Sequence, residues 1–262
     1  MRDHTLRRLV LIILAAIGIA GPRGAGLAAA EGSWSRGAAM PPARSEIGVT
    51  ELGGRVYAAG GIALFRTTAA FEVYDPEADA WRALAPLPEA RHHLAIAALG
   101  GRIYATGGFA NLSFTPDRKT GWIYDPDQDQ WLPIADMPRP RAAHKLVALE
   151  GRLYVVGGVG PDPLALWAYD PARNRWETAI EPMPTAREHL AAAALGGKLY
   201  AVAGRWGRRN LRAVEAYDPA ANSWSRLADL PQARGGHTAA AKCSRAVGIG
   251  SSAVSQRFPA GS

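Results

Sequence analysis

The sequence of 262 residues has almost no cysteine and no long apolar run after its first thirty residues. Its one cysteine, Cys243, cannot form a disulfide within the chain, so the fold depends on its core for stability. A nucleophile elbow, a phosphate-binding loop and His/Cys zinc spacing are all missing. These absences exclude a disulfide scaffold and a bundle of membrane helices, and they give no motif of the common hydrolases or nucleotide-binding enzymes.

The first thirty residues have the order of a secretion signal. Arg2, Arg7 and Arg8 precede an apolar run from Leu9 to Ala20, and small residues follow as far as Ala30. A membrane helix needs about 20 apolar residues, and this run is shorter. We therefore predict a signal peptide cleaved near Ala30 and a secreted or periplasmic protein, with an uncleaved anchor as the alternative.

The formal charge of +7 is moderate and diffuse. The leader supplies four arginines and one aspartate, a net +3, so the rest of the chain carries +4. A nucleic-acid-binding domain concentrates its basic residues on one face. We expect neither nucleic acid nor, after cleavage of the signal, a membrane as a partner.

A tyrosine-to-tryptophan motif recurs four times without a change of spacing. It reads Y-D-P-x-x-(D/N)-x-W, and its first and last residues are the pairs Tyr74 and Trp81, Tyr124 and Trp131, Tyr169 and Trp176, and Tyr217 and Trp224. The tryptophans are therefore 45 to 50 residues apart. Repeats of this length indicate one supersecondary unit each.

A second block precedes each of these motifs. A tyrosine stands three residues before a glycine pair and thirteen residues after an arginine. The tyrosines are Tyr57, Tyr104, Tyr154 and Tyr200, and the arginines are Arg44, Arg91, Arg141 and Arg187. In the last repeat the glycine pair is Ala203-Gly204. We expect the repeated tyrosine and tryptophan rings to pack on the glycines, where no Cβ stands in the way.

Each repeat predicts a sheet of four short strands, which we call a, b, c and d. In the second repeat, strand a covers 93–98, strand b covers 102–108, strand c ends at Tyr124 and strand d contains Trp131. Proline ends strand c because it cannot donate to the sheet, and the Asx residue before each tryptophan tolerates a left-handed turn. Four short strands repeated about every 47 residues are typical of β-propeller blades.

The diglycine, the tyrosine and the tryptophan at these separations resemble the Kelch repeat, of the kind found in bacterial secreted proteins. The resemblance runs from Trp34 to about His237. It implies an all-β, Kelch-type propeller with four complete four-stranded blades and a degenerate fifth. We divide the chain into the signal peptide 1–30, the blades 31–241 and a degenerate tail 242–262.

The fifth repeat begins normally and then decays. Arg234 and His237 stand where they should, but Val247 replaces the expected tyrosine and no Tyr-Asp-Pro follows. Kelch propellers usually have about six blades, so we expect an incomplete or truncated ring and a truncated or frame-shifted reading frame. A small five-bladed ring and a dimer that covers its edges are the alternatives. Open blade edges would also favour self-association.

The loops between strands b and c are the first candidate binding surface. They share one face with the beginnings of the a strands, and they vary while the opposite turns do not. Aromatic residues beside cations there could bind sugars, anionic groups or an acidic loop of a partner. The alternative is a solvated loop. The candidates are Phe109, Asn111, Phe114, Arg118, Lys119, Arg205, Trp206, Arg208 and Arg209.

The beginnings of the a strands form the second candidate, at the mouth of the central channel. Their residues could concentrate an anionic ligand, but an arginine repeated in every blade more often bonds loop carbonyls, and we favour that structural role. We expect no metal, because the histidines lie on different blades. The channel-mouth set is Arg44, Arg91, His93, Arg141, His144, Arg187, His189, Arg234 and His237.

The resemblance favours a binding module that presents its loop face to a protein or glycan partner, with no catalysis and no cofactor. A sialic-acid mutarotase-like enzyme is the alternative, and it would need an acid and a base facing a pocket. Its candidates are His93, His144, His189 and Arg141, with the carboxylates of Glu188 and Asp117. Galactose-oxidase-like chemistry needs a joined Cys and Tyr beside copper, and Cys243 in the tail argues against it. A purely structural surface protein is the third hypothesis.

Overall fold

The computed structural model describes residues 36–115 and 118–236. The chain divides into a unit of residues 1–36 and a unit of residues 37–262, and the fold described below belongs to the second. Several predictions fall outside the described residues and remain predictions. They concern the signal peptide 1–30, Trp34, Asp117, His237 and the tail 242–262.

Short strands account for all the regular structure of the described residues. The first two blades contain β1 (Gly48–Leu52), β2 (Arg55–Ala59), β3 (Ile62–Ala63), β4 (Arg66–Thr67), β5 (Phe71–Asp75), β6 (Ala80–Ala83), β7 (Ala95–Leu99), β8 (Arg102–Thr106), β9 (Gly121–Asp125) and β10 (Gln130–Ile134). The other two contain β11 (Lys145–Leu149), β12 (Arg152–Val156), β13 (Trp167–Asp170), β14 (Arg175–Glu177), β15 (Ala191–Leu195), β16 (Lys198–Val202), β17 (Arg205–Trp206), β18 (Arg209–Asn210), β19 (Val214–Asp218) and β20 (Ser223–Arg226).

Sixteen of these strands form four antiparallel sheets, each in the order a, b, c, d. The innermost strands β1, β7, β11 and β15 contact one another in sequence, so the blades follow the chain around an axis. The prediction of four complete four-stranded blades is confirmed. Two small hairpins, β3–β4 and β17–β18, extend the loops between strands b and c of the first and fourth blades.

Strand a of the second blade begins later than predicted. The sequence indicated 93–98, whereas β7 is Ala95–Leu99. His93 has a φ of 55°, a left-handed conformation that cannot continue a strand. The backbone therefore turns at His93 before the strand begins.

The repeated tyrosine and tryptophan stand opposite each other across every c–d hairpin. Tyr124 pairs with Trp131, for example, and their ring centroids are 5.1 Å apart. These rings help to fill the apolar layers between blades, together with small and branched residues such as Ala105 and Ile103. The asparagine or aspartate before each tryptophan has the predicted left-handed backbone, with φ near 46°.

The glycine pairs make room for backbone, not for rings, so our expectation about their partners is wrong. A Cβ on Gly107 would lie 2.1 Å from the carbonyl oxygen of Arg141, the first residue of the next repeat. Gly108 donates its N–H to that same carbonyl at 2.9 Å. The glycines therefore let each blade hydrogen-bond to the start of the next one.

The fifth repeat begins as the others do. Gly204 donates to the carbonyl of Arg234 at 2.9 Å, and Arg234 donates to Leu211 at 2.9 Å. This is the contact that joins the complete blades to one another. The rest of the fifth repeat lies beyond residue 236, outside the described part of the chain.

Candidate functional site

The channel-mouth arginines are buried in the scaffold. The side chains of Arg44, Arg91, Arg141 and Arg187 are fully buried. Arg141 donates to the carbonyls of Gly157 at 2.9 Å and Asp162 at 2.6 Å, and Arg44 donates to that of Gly60 at 2.7 Å. These guanidiniums bind the backbone of their own blades, as the structural role requires, and are not open to a ligand.

Each buried arginine contacts a residue of strand c that was not among the predicted candidates. The residue two before the tyrosine of strand c is Glu72, Trp122, Trp167 or Glu215 in the four blades. Arg187 forms a 2.5 Å ion pair with Glu215, and Arg44 pairs with Glu72. Arg91 and Arg141 instead lie over the rings of Trp122 and Trp167, at 5.1 and 4.3 Å. A carboxylate or an indole face therefore balances the buried cation.

Two other members of the channel-mouth set contact neighbours of their own. His144 is buried against the hydroxyl of Thr106 at 2.9 Å, and burial lowers its pKa to about 3. Arg234 is half-buried and contacts Gln232. His144 and Arg234 therefore do not join the other histidines. His237 is outside the described residues.

The second residue after each arginine belongs to a series of backbone hydrogen bonds that runs from blade to blade. His93 donates its backbone N–H to Glu46, Ala143 to His93, His189 to Ala143, and Gly236 to His189, over 2.8 to 3.2 Å. All five residues have positive φ. This shared conformation turns the side chains of different blades toward a common point, a convergence that the sequence did not reveal.

Glu46, His93 and His189 meet at that point. A Glu46 carboxylate oxygen is 3.1 Å from Nε2 of His93 and 3.6 Å from Nε2 of His189. The two imidazole rings are 4.9 Å apart. Our expectation that histidines on different blades stay separate is wrong for this pair. Their nitrogens and the carboxylate could hold a metal ion, since all three ligand atoms lie within 4.8 Å of one another.

Further polar groups surround this cluster. Nδ1 of His189 is 2.5 Å from a Glu188 oxygen, and Arg205 donates to the other Glu188 oxygen at 2.6 Å. Burial lowers the pKa of His189, but hydrogen bonds to Glu188 and Glu46 outweigh it and raise the pKa overall. The hydrogen bond from His189 holds the pKa of Glu46 below its usual value, whereas burial lowers that of His93 to about 4.

Phe114 and Phe109 pack against His92 and His93 and form an aromatic wall beside the cluster. Phe114 is half exposed, and its ring is 5.1 Å from that of His92 and 5.8 Å from that of His93. Phe109 is buried beneath it, 5.5 Å away. Asn111 contributes its backbone carbonyl, 2.9 Å from Nε2 of His92. We call this aromatic wall and the Glu46, His93 and His189 cluster together the channel-mouth site.

The remaining loop candidates lie outside this site. Arg118 pairs with Glu89 at 2.9 Å, and Lys119 pairs with Asp136 at 3.3 Å. Trp206, Arg208 and Arg209 are exposed on the β17–β18 hairpin. The predicted loop residues therefore divide into a channel-mouth group and an outer group.

Comparison with protein families identifies the repeat. A Kelch motif model matches residues 43–88, 90–138 and 186–231, which is more than half of the chain, and a second Kelch motif model matches residues 140–182. The chain belongs to the Kelch family. The four matched segments correspond to the four blades, so the predicted resemblance is confirmed. That this Kelch protein is of the secreted bacterial kind stays a prediction.

A solved structure described as "Structure of YjhT" resembles this Kelch propeller. The TM-score is 0.69 at 17% identity, over 79% of this chain and 77% of that one. At this identity the likeness shows a common fold alone. No curated protein sequence matches the chain. In the part of this Kelch protein that the structure describes, no helix is long and apolar enough to cross a membrane.

Proposed function

We propose that this Kelch propeller is a binding module whose loop face holds a protein partner with apolar and acidic side chains. The loop face consists of the b–c loops 62–68, 109–120, 159–165 and 205–212. A Kelch fold is compatible with a binding module, and the partner class is our inference. It rests on the distribution of exposed apolar side chains.

That distribution is strongly uneven. Eight large hydrophobic side chains are exposed among the described residues, and six of them lie on the b–c loops. Phe65 is 90% exposed at the tip of the β3–β4 hairpin, and Trp206 is 38% exposed on the β17–β18 hairpin. Apolar groups gathered on one surface are typical of a protein interaction site. The six residues are Leu64, Phe65, Leu112, Phe114, Leu164 and Trp206.

The charges near these apolar groups favour an acidic partner. Arg66, Arg208 and Arg209 are exposed on the same two hairpins. Arginine beside an aromatic residue is a common pair at protein interfaces, because it forms ion pairs and stacks on rings. A segment that combines apolar residues with Asp or Glu would complement this face.

Selection of peptides from a displayed library on the immobilised protein tests the proposal. We expect enriched peptides to contain large apolar residues together with Asp or Glu. The double variant Phe65→Ala/Trp206→Ala should bind a selected peptide at least about 10-fold more weakly. The matched control is Val49→Ala/Leu132→Ala, which removes two exposed apolar side chains outside the b–c loops.

Two outcomes would contradict a protein partner. One is that no peptide is enriched; the other is equal affinity in the two double variants. An array of acidic glycans, tested with the same protein, examines the glycan alternative. Binding to glycans that is lost in Arg205→Ala/Trp206→Ala/Arg208→Ala, without peptide enrichment, would replace the protein partner by a sugar.

A second candidate function, a sugar-converting enzyme of the mutarotase type, is favoured by the channel-mouth site. His189 lies between the carboxylates of Glu46 and Glu188, an arrangement that can hold and release a proton. Phe114 offers an exposed ring beside His93, as sugar sites often do. NMR exchange between free sugar anomers tests this, and the faster exchange should disappear in Glu46→Gln. Equal exchange with and without protein would exclude it.

A further inference from the structure

The Glu46 carboxylate of the channel-mouth site lies at distances from two histidine nitrogens that are found between neighbouring ligands of a metal ion. The Glu46 oxygen is 3.1 Å from Nε2 of His93 and 3.6 Å from Nε2 of His189. An ion at about 2.0–2.2 Å from each ligand, at tetrahedral or octahedral angles, separates neighbouring ligands by about 3–3.6 Å. We propose that Glu46, His93 and His189 bind a divalent transition-metal ion of the zinc class. This proposal is independent of the protein-binding function.

The hydrogen bonds behind His93 leave its Nε2 free to be a ligand. The Asn111 carbonyl can only accept, so Nε2 of His92, 2.9 Å away, carries the proton. Nδ1 of a neutral His92 is then an acceptor, and it faces Nδ1 of His93 at 2.7 Å. Nδ1 of His93 therefore donates, and its Nε2 lone pair faces the Glu46 carboxylate. A proton or a metal ion between these two atoms would stabilise this arrangement.

His189 has the outer contact that is typical of metal ligands. Its Nδ1–H donates a 2.5 Å hydrogen bond to Glu188, and this contact orients the ring with Nε2 toward Glu46. A carboxylate behind a ligating histidine both fixes the tautomer and makes the ligand more basic. His93 and His189 are thus each held by a partner on the nitrogen that does not face Glu46.

The charged groups around the site have opposite effects on the binding of a cation. Glu46 and Glu188 favour a divalent cation, while Lys145, whose charge acts on Glu46, opposes it. Arg205 also opposes it, because one guanidinium nitrogen is 3.4 Å from Nε2 of His189. The side chain of Arg205 is 45% exposed, so it has solvent to move into when a metal binds. Arg205 therefore weakens metal binding in this arrangement.

The ligand set is compatible with zinc and with similar divalent transition metals. Two histidines and one carboxylate are a set that zinc uses when a fourth position stays open for water or a ligand. A metal at this site would hold an oxygen ligand at the centre of the loop face.

Titration of the untagged, EDTA-treated protein with Co²⁺ tests the proposal by absorption spectroscopy, with Zn²⁺ as the competitor. We expect one Co²⁺ per chain, with the absorption of a four- or five-coordinate ion, displaced by Zn²⁺. Glu46→Gln, His93→Ala and His189→Ala should each weaken binding more than about 100-fold, and Glu188→Gln about 10–100-fold. Glu77→Gln, an exposed carboxylate on the opposite turns, is the matched control.

Arg205→Met separates a metal site from a general loss of structure. It removes a repelling charge, so it should tighten Co²⁺ binding, a gain that an unfolded variant cannot produce. His4→Ala/His237→Ala removes the two histidines outside the described residues and should leave binding unchanged. The proposal is overturned if Co²⁺ does not bind, if Glu46→Gln binds as well as the wild type, or if the His4/His237 variant loses the ion.

Discussion

The hydroxyl of Tyr124 donates a 2.6 Å hydrogen bond to Oδ1 of Asp129, five residues later in the same blade. The same oxygen accepts the backbone N–H of Ala85, in the segment that leads from the first blade, at 2.9 Å. Nε1 of Trp131 donates to the carbonyl of Ala85 at 3.0 Å. The Y-D-P-x-x-(D/N)-x-W motif is thus a clasp that fastens each blade to the chain segment before it.

The clasp recurs in all four blades, and its acceptor is either an aspartate or an asparagine. Asp79 and Asp129 fill the acceptor position in the first two blades, and Asn174 and Asn222 fill it in the others. The hydroxyl-to-oxygen distances range from 2.6 to 2.8 Å. Only an oxygen acceptor is required, which explains why the motif accepts both residue types.

We predict that Asp129→Ala destabilises the protein by about 1–3 kcal/mol, because two donors lose their acceptor. Asp129→Asn keeps the oxygen and should cost well under half as much. Urea denaturation measures both, with Asp127→Ala in the same turn as the control. Equal losses in the alanine and asparagine variants would show that the charge, not the acceptor, matters.

The two aspartate clasps should make stability sensitive to acid. The hydrogen bond from Tyr124, followed by that from Ala85, lowers the pKa of Asp129 below its ordinary value. A carboxylate with a lowered folded-state pKa stabilises the protein fully above its unfolded pKa and loses that contribution as the pH falls below about 4. Asp129→Asn should therefore flatten the decline of stability in acid, and Asn174→Asp should steepen it. Unfolding midpoints measured from pH 6 to pH 2.5 check this, and identical curves would refute it.

Substitution by alanine should reduce stability by different amounts at Gly100 and at Gly107. Gly100 and Gly107 have almost the same φ, 61° and 59°. A Cβ on Gly100 would meet nothing within 4 Å, whereas one on Gly107 would lie 2.1 Å from the Arg141 carbonyl. We expect Gly100→Ala to cost about 1–2 kcal/mol for the backbone conformation alone and Gly107→Ala about 4 kcal/mol or more. Similar values in denaturation experiments would mean that the blades can separate at little cost.

The buried ion pair of the fourth blade should depend on both partners. Arg187 and Glu215 are buried, and Thr185 also donates to Glu215 at 2.6 Å. Arg187→Met leaves a buried carboxylate without its nearest cation, with only Arg226 at 3.8 Å remaining, and should cost about 3–5 kcal/mol, while Arg187→Met/Glu215→Leu should cost less. A double-mutant cycle measures the coupling. Additive losses would show that the two side chains act independently.

The fold could be predicted because its signals are local and periodic. Tyr124 and Trp131 lie seven residues apart, so a single hairpin brings them together, and repetition makes the pattern unmistakable. The partners of the glycine pairs could not be predicted, since Gly107 meets Arg141 of the next repeat. The groups that balance the buried arginines were present in the sequence as Glu or Trp two residues before the tyrosine, but their role became clear only from the observed contacts.

The amino-acid sequence by itself determined the repeat, the four-stranded blades, the left-handed Asx turns and the family. Each of these depends on neighbours within one hairpin or on a spacing that recurs. Only the tertiary structure decided that Glu46, His93 and His189 meet, because they come from the first, second and fourth repeats and touch only where the blades surround the axis. Side chains that converge across a channel have no fixed spacing along the chain, so no periodic signal records them.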